Sequence, residues 1–281
     1  GVVVLGSWGR CGPPALAGLR CNRGSAEARP APANDARISG GNSVEGAHTQ
    51  VSVVIPVHNR PVAVRRAIDS VLAQTCQDFE IIVVDDGSTD DTVAAVEAIA
   101  DPRILLVRHQ RNLGASPARN SGIRAGSSPF VAFLDSDDEW FPTRLEKLLT
   151  VFASATDEVG FVYTGAERVF SDGSILKEVP RDRGDLARVL LTDNVIGGTS
   201  VGIVRRRVLQ KIGAFDENLR YTEELDLWLR IAERYVIRCI PELLVRVSQP
   251  MDRPRLSLNI EAVSDGREMF YRKHREKLEK H

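Results

Sequence analysis

The chain has 281 residues, of which 43% are hydrophobic and 27% charged, and this composition is typical of a globular protein. The formal net charge of −1 argues against nucleic acid as the main partner. No apolar run approaches the ~18–20 residues that a membrane-spanning helix needs. The four cysteines form no CxxC pair, so we expect neither a zinc site nor a disulfide framework.

Residues 1–50 differ in composition from the rest of the chain. They are rich in Gly, Ala, Pro, Ser, Asn and Arg and show little apolar periodicity. Such a segment cannot bury enough apolar surface to offset the entropy lost on ordering, so we expect a flexible N-terminal extension. A transit peptide is the alternative, because Arg outnumbers the acidic residues there.

From Val51 onward, strands and helices alternate. Apolar runs predict strands at 51–56, 80–84, 104–107 and 130–134. Apolar residues at helical spacing predict helices around 64–72 and 93–100, a helix capped by Ser116 with Pro117 at its first position, and a helix around 145–152 opened by Pro142. Alternation of this kind predicts right-handed crossovers and a mostly parallel, Rossmann-like sheet over residues 51–138.

The second half, residues 139–250, predicts a mixed sheet. Strands are expected at 159–163, 166–170, 175–179, 200–204, 236–240 and 243–247, with a hairpin at Asp172-Gly173. A short helix is expected at 184–191, and Thr222 is the predicted cap of a helix that runs to about Arg234. We therefore expect one α/β domain over 51–250, followed by a helical tail over 251–281 that lies on the surface.

Polar segments follow three of the predicted parallel strands. They are 56–60 (PVHNR), 85–90 (DDGSTD) and 135–138 (DSDD). Alone, the segment 85–90 is also consistent with a turn that caps a helix, and the segment 135–138 with a solvated helix cap. The carboxyl ends of parallel strands lie on one edge of a sheet, where ligands bind, so the three segments together predict a site.

The residue types of this predicted site indicate its chemistry. Closely spaced carboxylates repel one another unless a cation lies between them. Carboxylate oxygens suit Mg²⁺ or Mn²⁺, and such an ion neutralises charge on a departing diphosphate. An Asp after the second strand can accept a hydrogen bond from a nucleobase N–H. The site therefore suits a nucleoside-diphosphate substrate.

Over about residues 50–250 the sequence resembles a family-2 glycosyltransferase of the GT-A fold. Several motifs in the family's order carry the resemblance, which makes it more specific than any single pattern. They are 51–59 (VSVVIPVHN), 84–90 (VDDGSTD), 112–114 (NLG), 118–122 (ARNSG), 133–138 (FLDSDD) and 223–230 (EELDLWLR).

The resemblance implies roles for the residues at these positions. Pro56, His58 and Arg60 would frame the nucleotide base, and Asp86 would bind its edge. Arg119 would face the donor. Asp135 would contact the ribose or the sugar, beside Ser136. Asp137 and Asp138 would bind Mn²⁺ or Mg²⁺.

The expected general base departs from the family pattern. Family members commonly carry Glu-Asp where this chain has Glu223-Glu224, so Glu224 takes the position of the base, with Asp226 as the alternative. Glu reaches about 1.5 Å further than Asp, and misplacement of that order can cost ~10²-fold in rate. A place in the first helical turn favours the ionised form that a base needs. Both glutamates are alternatively only favourable first-turn acids.

The resemblance implies an inverting transfer of a sugar from a nucleoside-diphosphate sugar, expected to be UDP-linked, to an acceptor hydroxyl. A Gln-x-x-Arg-Trp motif is absent, so we expect single-sugar transfer, onto a surface or lipid-linked glycan. The expected location is cytoplasmic, at the inner face of the plasma membrane and without a transmembrane span. Two alternatives are a non-catalytic nucleotide-sugar-binding protein and a sugar nucleotidyltransferase. The latter would need a Gly-rich, basic loop that residues 56–60 lack.

Overall fold

Uninterrupted apolar runs form the centre of the sheet. The computed structural model describes residues 36–39, 49–249 and 260–280. The first strands in chain order are β1 (Ala36–Ser39), β2 (Val51–Val57), β3 (Phe79–Asp85), β4 (Ile104–His109) and β5 (Phe130–Phe133). Strands β4, β3, β2 and β5 are parallel neighbours in that order, as predicted, while β1 pairs antiparallel with β4 at the edge.

Four helices connect and follow these strands. They are α1 (Pro61–Leu72), α2 (Thr92–Glu97), α3 (Ala115–Ala125) and α4 (Arg144–Ser154). In α1, Val64, Ile68 and Val71 are buried, in agreement with their helical spacing. The predicted start of α3 is wrong, because the helix begins at Ala115 after Gly114, whose φ of 102° turns the chain into the helix.

The second half completes a mixed sheet. Its elements are β6 (Asp138–Trp140), β7 (Val159–Phe170), β8 (Ile175–Glu178), α5 (Leu186–Leu190), a 3₁₀ turn (Thr199–Val201), β9 (Gly202–Arg205), α6 (Arg206–Ile212), α7 (Glu223–Ala232), β10 (Val236–Gln249), α8 (Ile260–Lys273) and α9 (Arg275–Leu278). The sheet has the order β1-β4-β3-β2-β5-β9-β7-β10-β6, and β8 pairs with β7. Sequence patterns alone missed β6 and α6.

Two long strands replace four predicted short ones. Strands β7 and β10 run parallel to each other, and their pairing continues through register shifts between Ile240 and Val245. These register shifts interrupt the alternation of apolar and polar residues. In the sequence, each long strand therefore has the pattern of two short strands. Strand β6 pairs with the end of β10 and carries Asp138 into the sheet.

Some expectations about the ends of the chain concern residues outside the described ranges. Of the segment predicted as a flexible extension, the structure describes Ala36–Ser39 as an edge strand, together with Thr49 and Gln50. The remainder of that segment lies outside the described residues, as do 250–259 of the predicted tail. The tail helix α8 is not merely a surface helix, because Phe270 is 1% exposed.

Candidate active site

The loops that follow β2 and β3 are tied to each other by hydrogen bonds. The Asn59 amide donates to Ser88 Oγ at 2.9 Å, and Asn59 Oδ1 accepts from the Thr89 amide at 2.8 Å. The Arg60 amide donates to Thr92 Oγ1 at 2.8 Å. Pro56 lies within β2, at the end that leads into this loop. Two of the three segments predicted to converge, 56–60 and 85–90, are therefore brought together.

Asp86 is buried and holds the loop before α3. Its Oδ2 accepts from the Gly114 amide at 2.7 Å, and its Oδ1 accepts from the Leu113 amide at 2.9 Å. His109 Nδ1 lies 2.7 Å from Oδ1. His58 Nδ1 donates to the carbonyl oxygen of Asp86 at 2.9 Å. The structure thus shows a structural role for the Asp86 carboxylate, which has three protein partners around it.

Gly87 is required by the close approach of two loops. Its φ is +69°, and a Cβ atom there would lie 2.4 Å from the carbonyl carbon of Arg111. An L-residue would therefore be strained in its backbone and would displace the neighbouring backbone.

Gly87→Ala is expected to lower the free energy of unfolding by about 2–4 kcal/mol, because backbone strain is added to the displaced contact. Gly173→Ala is the matched control, since Gly173 also has a positive φ of +80° but a Cβ there would meet nothing within 4 Å. In the control, the free energy of unfolding is expected to fall by about 1 kcal/mol. Urea denaturation measures both values, and equal losses would show that the contact with Arg111 does not matter.

Asp135 is partly exposed and is held by residues from two other elements. Its Oδ1 accepts from Arg119 Nη2 at 2.8 Å and from Thr199 Oγ1 at 3.1 Å. The Asp135 amide donates to Ser200 Oγ at 3.0 Å. Although burial opposes it, the nearby Arg119 guanidinium lowers the pKa of Asp135. Asp135 is therefore an ionised carboxylate, with a third of its side chain exposed.

Asp138 points into the protein, which argues against the predicted metal role. Its Oδ2 accepts from Ser200 Oγ at 2.6 Å, and the residue is 5% exposed within β6. Burial, and then the charges of Asp135 and Asp137, raise the pKa of Asp138 well above its usual range. Its burial and its hydrogen bond to Ser200 therefore favour a structural role for Asp138. Ser136 is also buried, at 4% exposure.

Arg60 and Asp137 join the first and last of the three polar segments. Arg60 Nη1 lies 2.6 Å from Asp137 Oδ2, and both side chains are partly exposed. The loop after β2 and the acidic segment therefore meet at one edge of the sheet, as the parallel topology predicts. The pair also places the Arg60 guanidinium beside the carboxylate of Asp137, one of the predicted metal ligands.

Arg119 links the acidic segment to helix α7. Besides Asp135, its guanidinium contacts Glu223 Oε1 at 3.2 Å and lies over the Phe215 ring at 5.4 Å. The side chain is 8% exposed, so Arg119 is placed to fix two carboxylates and not to face a donor directly. Asp135 and the two neighbouring glutamates outweigh burial and raise the pKa of Arg119. The positive charge of Arg119 therefore lies between Asp135, in the predicted donor site, and the first turn of α7, which carries the predicted base Glu224.

Glu224 lies in the first turn of α7, but its ionisation differs from the prediction. Desolvation by the surrounding protein, and then repulsion from Glu223, raise the pKa of Glu224 to about 8. Both effects outweigh the favourable position at the helix N-terminus. Asn194 Nδ2 lies 3.4 Å from Glu224 Oε1. Thr222 is at the N-cap, but its hydroxyl donates to the Gly266 carbonyl instead of capping α7.

Asp226 is not placed to act as the alternative base. Its side chain is fully buried, and Arg230 Nε, Lys273 Nζ and His274 Nε2 each lie 2.8 Å from its carboxylate oxygens. Despite burial, these partners lower the pKa of Asp226 strongly. The carboxylate has no access to an acceptor and anchors the C-terminal helices.

Sequence reasoning missed the segment 194–200, which contacts both halves of the site. Thr199 and Ser200 bind Asp135 and Asp138, and Trp228 Nε1 donates to the Gly197 carbonyl at 3.1 Å. The signal in the sequence is a polar, Gly-rich stretch (NVIGGTS) immediately before a predicted strand.

A divalent cation fits only part of the predicted ligand set. The described residues contain no group of three or more His, Cys, Asp or Glu side chains arranged to hold a metal ion. Asp137, a predicted ligand, and Asp135, which was predicted to contact the ribose or the sugar, both offer partly exposed carboxylate oxygens, the ligand type that Mg²⁺ and Mn²⁺ prefer. Two carboxylates suit a cation that takes its remaining ligands from water and substrate phosphates.

Solved structures of low sequence identity share the fold. The structure of S. aureus TarS 1-349 in complex with UDP-GlcNAc has a TM-score of 0.62 and 20% identity, covering 79% of this chain and 65% of that one. Mannosyltransferase PcManGT from Pyrobaculum calidifontis, in complex with GDP-Man and Mn²⁺, has a TM-score of 0.53 and 24% identity, covering 73% and 57%. These likenesses confirm the predicted GT-A-like α/β fold.

Curated relatives carry the name glycosyltransferase. An uncharacterized glycosyltransferase of Rickettsia prowazekii is 31% identical over 202 residues, covering 70% of this chain and 63% of the relative. An uncharacterized glycosyltransferase of Escherichia coli is 37% identical over 137 residues, covering 48% and 39%. The chain thus spans less than two thirds of either relative. The sequence profile of "Glycosyl transferase family 2" matches residues 52–213, more than half of the 281 residues, so the chain belongs to glycosyl transferase family 2.

Proposed function

We propose that this chain transfers a sugar from a nucleoside-diphosphate sugar to an acceptor hydroxyl with inversion at the anomeric carbon. The observation that carries the proposal is the bridge through Arg119, which contacts Asp135 at 2.8 Å and Glu223 at 3.2 Å. It holds the acidic segment of the donor half beside the helix that carries Glu224. A diphosphate site and a base for the acceptor are the two parts that such a transfer needs.

The donor in this proposal binds along the edge formed by the loops after β2, β3 and β5. Pro56, His58 and Arg60 frame the nucleotide, and the Asp86 loop lies beside the base. Asp135 and Asp137 hold Mn²⁺ or Mg²⁺. Asp138 supports this segment through its hydrogen bond with Ser200. When bound, the cation supplies charge stabilisation to the departing diphosphate. TarS was solved with UDP-GlcNAc and PcManGT with GDP-Man, so we propose a UDP-linked donor and include GDP-linked sugars in the test.

Glu224 is the proposed general base. Its carboxylate removes the proton of the acceptor hydroxyl as the oxygen attacks the anomeric carbon. The elevated pKa suits this role, because a base with a pKa near the working pH takes up a proton readily. It also means that only part of the free protein has Glu224 ionised at neutral pH. We therefore expect kcat/KM to rise with pH up to about 8.

The acceptor is proposed as a carbohydrate or lipid-linked glycan hydroxyl, in the synthesis of cell-surface polysaccharide. This part of the proposal follows from the family resemblance and from no particular residue of the site. None of the described helices is both long and apolar enough to cross a bilayer. We propose a cytoplasmic protein that works at the inner face of the plasma membrane.

Metal-dependent donor binding distinguishes Asp137 from Asp138. Asp137→Asn is expected to weaken binding of UDP-sugar in Mn²⁺ by at least about tenfold, because it removes a charged ligand. Asp138→Asn should keep the affinity within about threefold, because this carboxyl group is directed at Ser200. Isothermal titration of each variant with UDP-sugar, with and without Mn²⁺, measures the difference.

The same titration tests the proposed function. The parent is expected to bind at least one UDP- or GDP-linked sugar more tightly with Mn²⁺ than without it. Absence of binding to the whole panel would contradict the proposal. An equally large loss in Asp138→Asn would show that both Asp137 and Asp138 bind the metal, as the family resemblance implies.

A further inference from the structure

Helix α8 and His274, the residue that directly follows it, are attached to α7, the helix that carries Glu224, through a buried charged cluster. Asp226 of α7 is fully buried, and Lys273 Nζ and His274 Nε2 both lie 2.8 Å from its Oδ1. The other carboxylate oxygen, Oδ2, accepts from Arg230 Nε at 2.8 Å. Breaking a buried pair by removing one partner leaves an uncompensated charge, so this attachment is strong and directional.

A second attachment lies on the other side of Glu224. Thr222 Oγ1 donates to the Gly266 carbonyl of α8 at 3.1 Å. A Cβ atom at Gly266 would lie 2.1 Å from the Arg220 carbonyl oxygen, so α8 touches the backbone that leads into α7. Tyr221, in that backbone, has a φ of 69°, which is unusual for a residue other than glycine. The contact with α8 helps to hold this strained conformation.

The apolar part of α8 supports the same contact region. Phe270 is 1% exposed, and its ring centroid lies 4.7 Å from that of His274. Lys273 Nζ also lies 2.7 Å from Asp216, in the segment before α7. The contacts described for α8 thus include Asp216, Thr222 and Asp226, and this segment of the chain ends in the first turn of α7.

We propose that α8, together with His274, the residue that directly follows it, is a positioning element of the transfer reaction and that His274 is the principal positioning residue. The inference rests on the proposed role of Glu224. Helix α8 holds Thr222 on one side of that glutamate and Asp226 on the other. From the donor half, Arg119 holds Glu223. The turn that presents the base is thus fixed from both directions, and His274 acts on the reaction through Asp226 without touching substrate.

The positioning role explains why a buried charged cluster is placed here. A helix that only covered the domain would be held adequately by apolar contacts. A base displaced by about 1 Å can lose ~10²-fold in rate, so a directional attachment has a functional reason. The family profile ends at residue 213 and includes neither α7 nor α8.

His274→Leu and His274→Gln test the proposal in the 281-residue chain. Leu removes the donor to Asp226, whereas the Gln amide can place an N–H close to the position of Nε2. We expect kcat for release of nucleoside diphosphate to fall by about 30-fold in His274→Leu, with donor KM and the donor dissociation constant within about threefold. His274→Gln should return kcat to within about threefold of the parent.

Hydrogen exchange provides a readout that does not depend on activity. In His274→Leu, amides of residues 220–228 are expected to exchange at least about tenfold faster, while those of 80–90 keep the parental rate. Unchanged exchange at 220–228, or a parental kcat in His274→Leu, would overturn the inference. So would a parallel loss of donor binding and kcat, because that would indicate a general structural role.

Lys273→Met is the second variant, for use if His274→Leu does not fold. It removes one cation from Asp226 and is expected to reduce kcat by about fivefold. Arg272→Met is its matched control, because Arg272 is the preceding residue of α8, is 76% exposed and pairs only with Glu268 among the described contacts. Equal effects of the two substitutions would contradict the proposal. A parent that releases no nucleoside diphosphate from any donor contradicts the proposed function instead, and the exchange result still decides the role of α8.

Discussion

Glu224→Gln is expected to stop sugar transfer and to make the protein more resistant to alkaline pH. The amide cannot accept the acceptor's proton, so kcat should fall by about 10²–10⁴-fold, the usual contribution of a general base. Donor binding should stay within about threefold of the parent, because Glu224 lies on α7, outside the loops and acidic segment that are proposed to bind the donor.

The effect on stability follows from the direction of the pKa shift. The pKa of Glu224 is raised from 4.5 to about 8 in the folded protein. The folded state therefore binds this proton more tightly than the unfolded state does. The stabilisation is fully present below about pH 4.5 and is lost as the pH rises through about 8. Gln stays neutral throughout, so the melting temperature of Glu224→Gln minus that of the parent should increase from pH 5 to pH 9.

Differential scanning calorimetry and release of nucleoside diphosphate measure the two effects. Glu97→Gln is the control, because Glu97 is an exposed carboxylate on α2. It should leave transfer and the pH dependence of melting at parental values. Transfer at the parental rate in Glu224→Gln would show that another group is the base.

Arg119→Met is expected to have the largest effect on the architecture of the site. The substitution leaves Asp135 and Glu223 without their shared cation, and Glu223 Oε2 already has no hydrogen-bond partner among the described residues. Removal of one partner from a buried ion pair costs about 3–5 kcal/mol. Because a third of the Asp135 side chain is exposed, we expect the free energy of unfolding to fall by about 3 kcal/mol and the transfer rate to fall by at least about 10²-fold.

Arg103→Met is the control for this prediction. Arg103 also forms a close ion pair, with Asp101 at 2.7 Å, but it lies at the opposite end of β4 from the site. The Arg103→Met variant should have a free energy of unfolding lower by about 1 kcal/mol and keep the parental transfer rate. Urea denaturation and initial rates measure both variants. A parental rate in Arg119→Met would show that the bridge does not organise the site.

The sequence predicts the parallel half of the fold well, because its strands are apolar on both faces. Val53, Ile55, Ile81 and Val83 are fully buried, and runs of this kind leave little choice of structure. The mixed half is harder to predict. Strand β6 contains Asp138, whose acidic neighbours are typical of a helix cap, and only its pairing with β10 makes it a strand.

The candidate site is predictable where it follows sheet topology, and less so where it depends on distant contacts. Parallel strand ends bring Arg60 to Asp137. The contact between Arg119 and Glu223 spans 104 residues, and that between Asp226 and His274 spans 48. Local patterns carry no information about such pairs. The ionisation of Glu224 was wrongly predicted for the same reason, since the desolvation that raises its pKa comes from tertiary packing.

The most direct test of the account is release of nucleoside diphosphate by the purified protein. UDP- and GDP-linked sugars are incubated with Mn²⁺ and a panel of glycan acceptors, and the parent is compared with Glu224→Gln. We predict that the parent releases nucleoside diphosphate from at least one donor in an Mn²⁺-dependent reaction. Glu224→Gln should bind that donor but release at least about 10²-fold less. Donor binding by the parent without release from any donor, or release at equal rates by both proteins, would contradict the account.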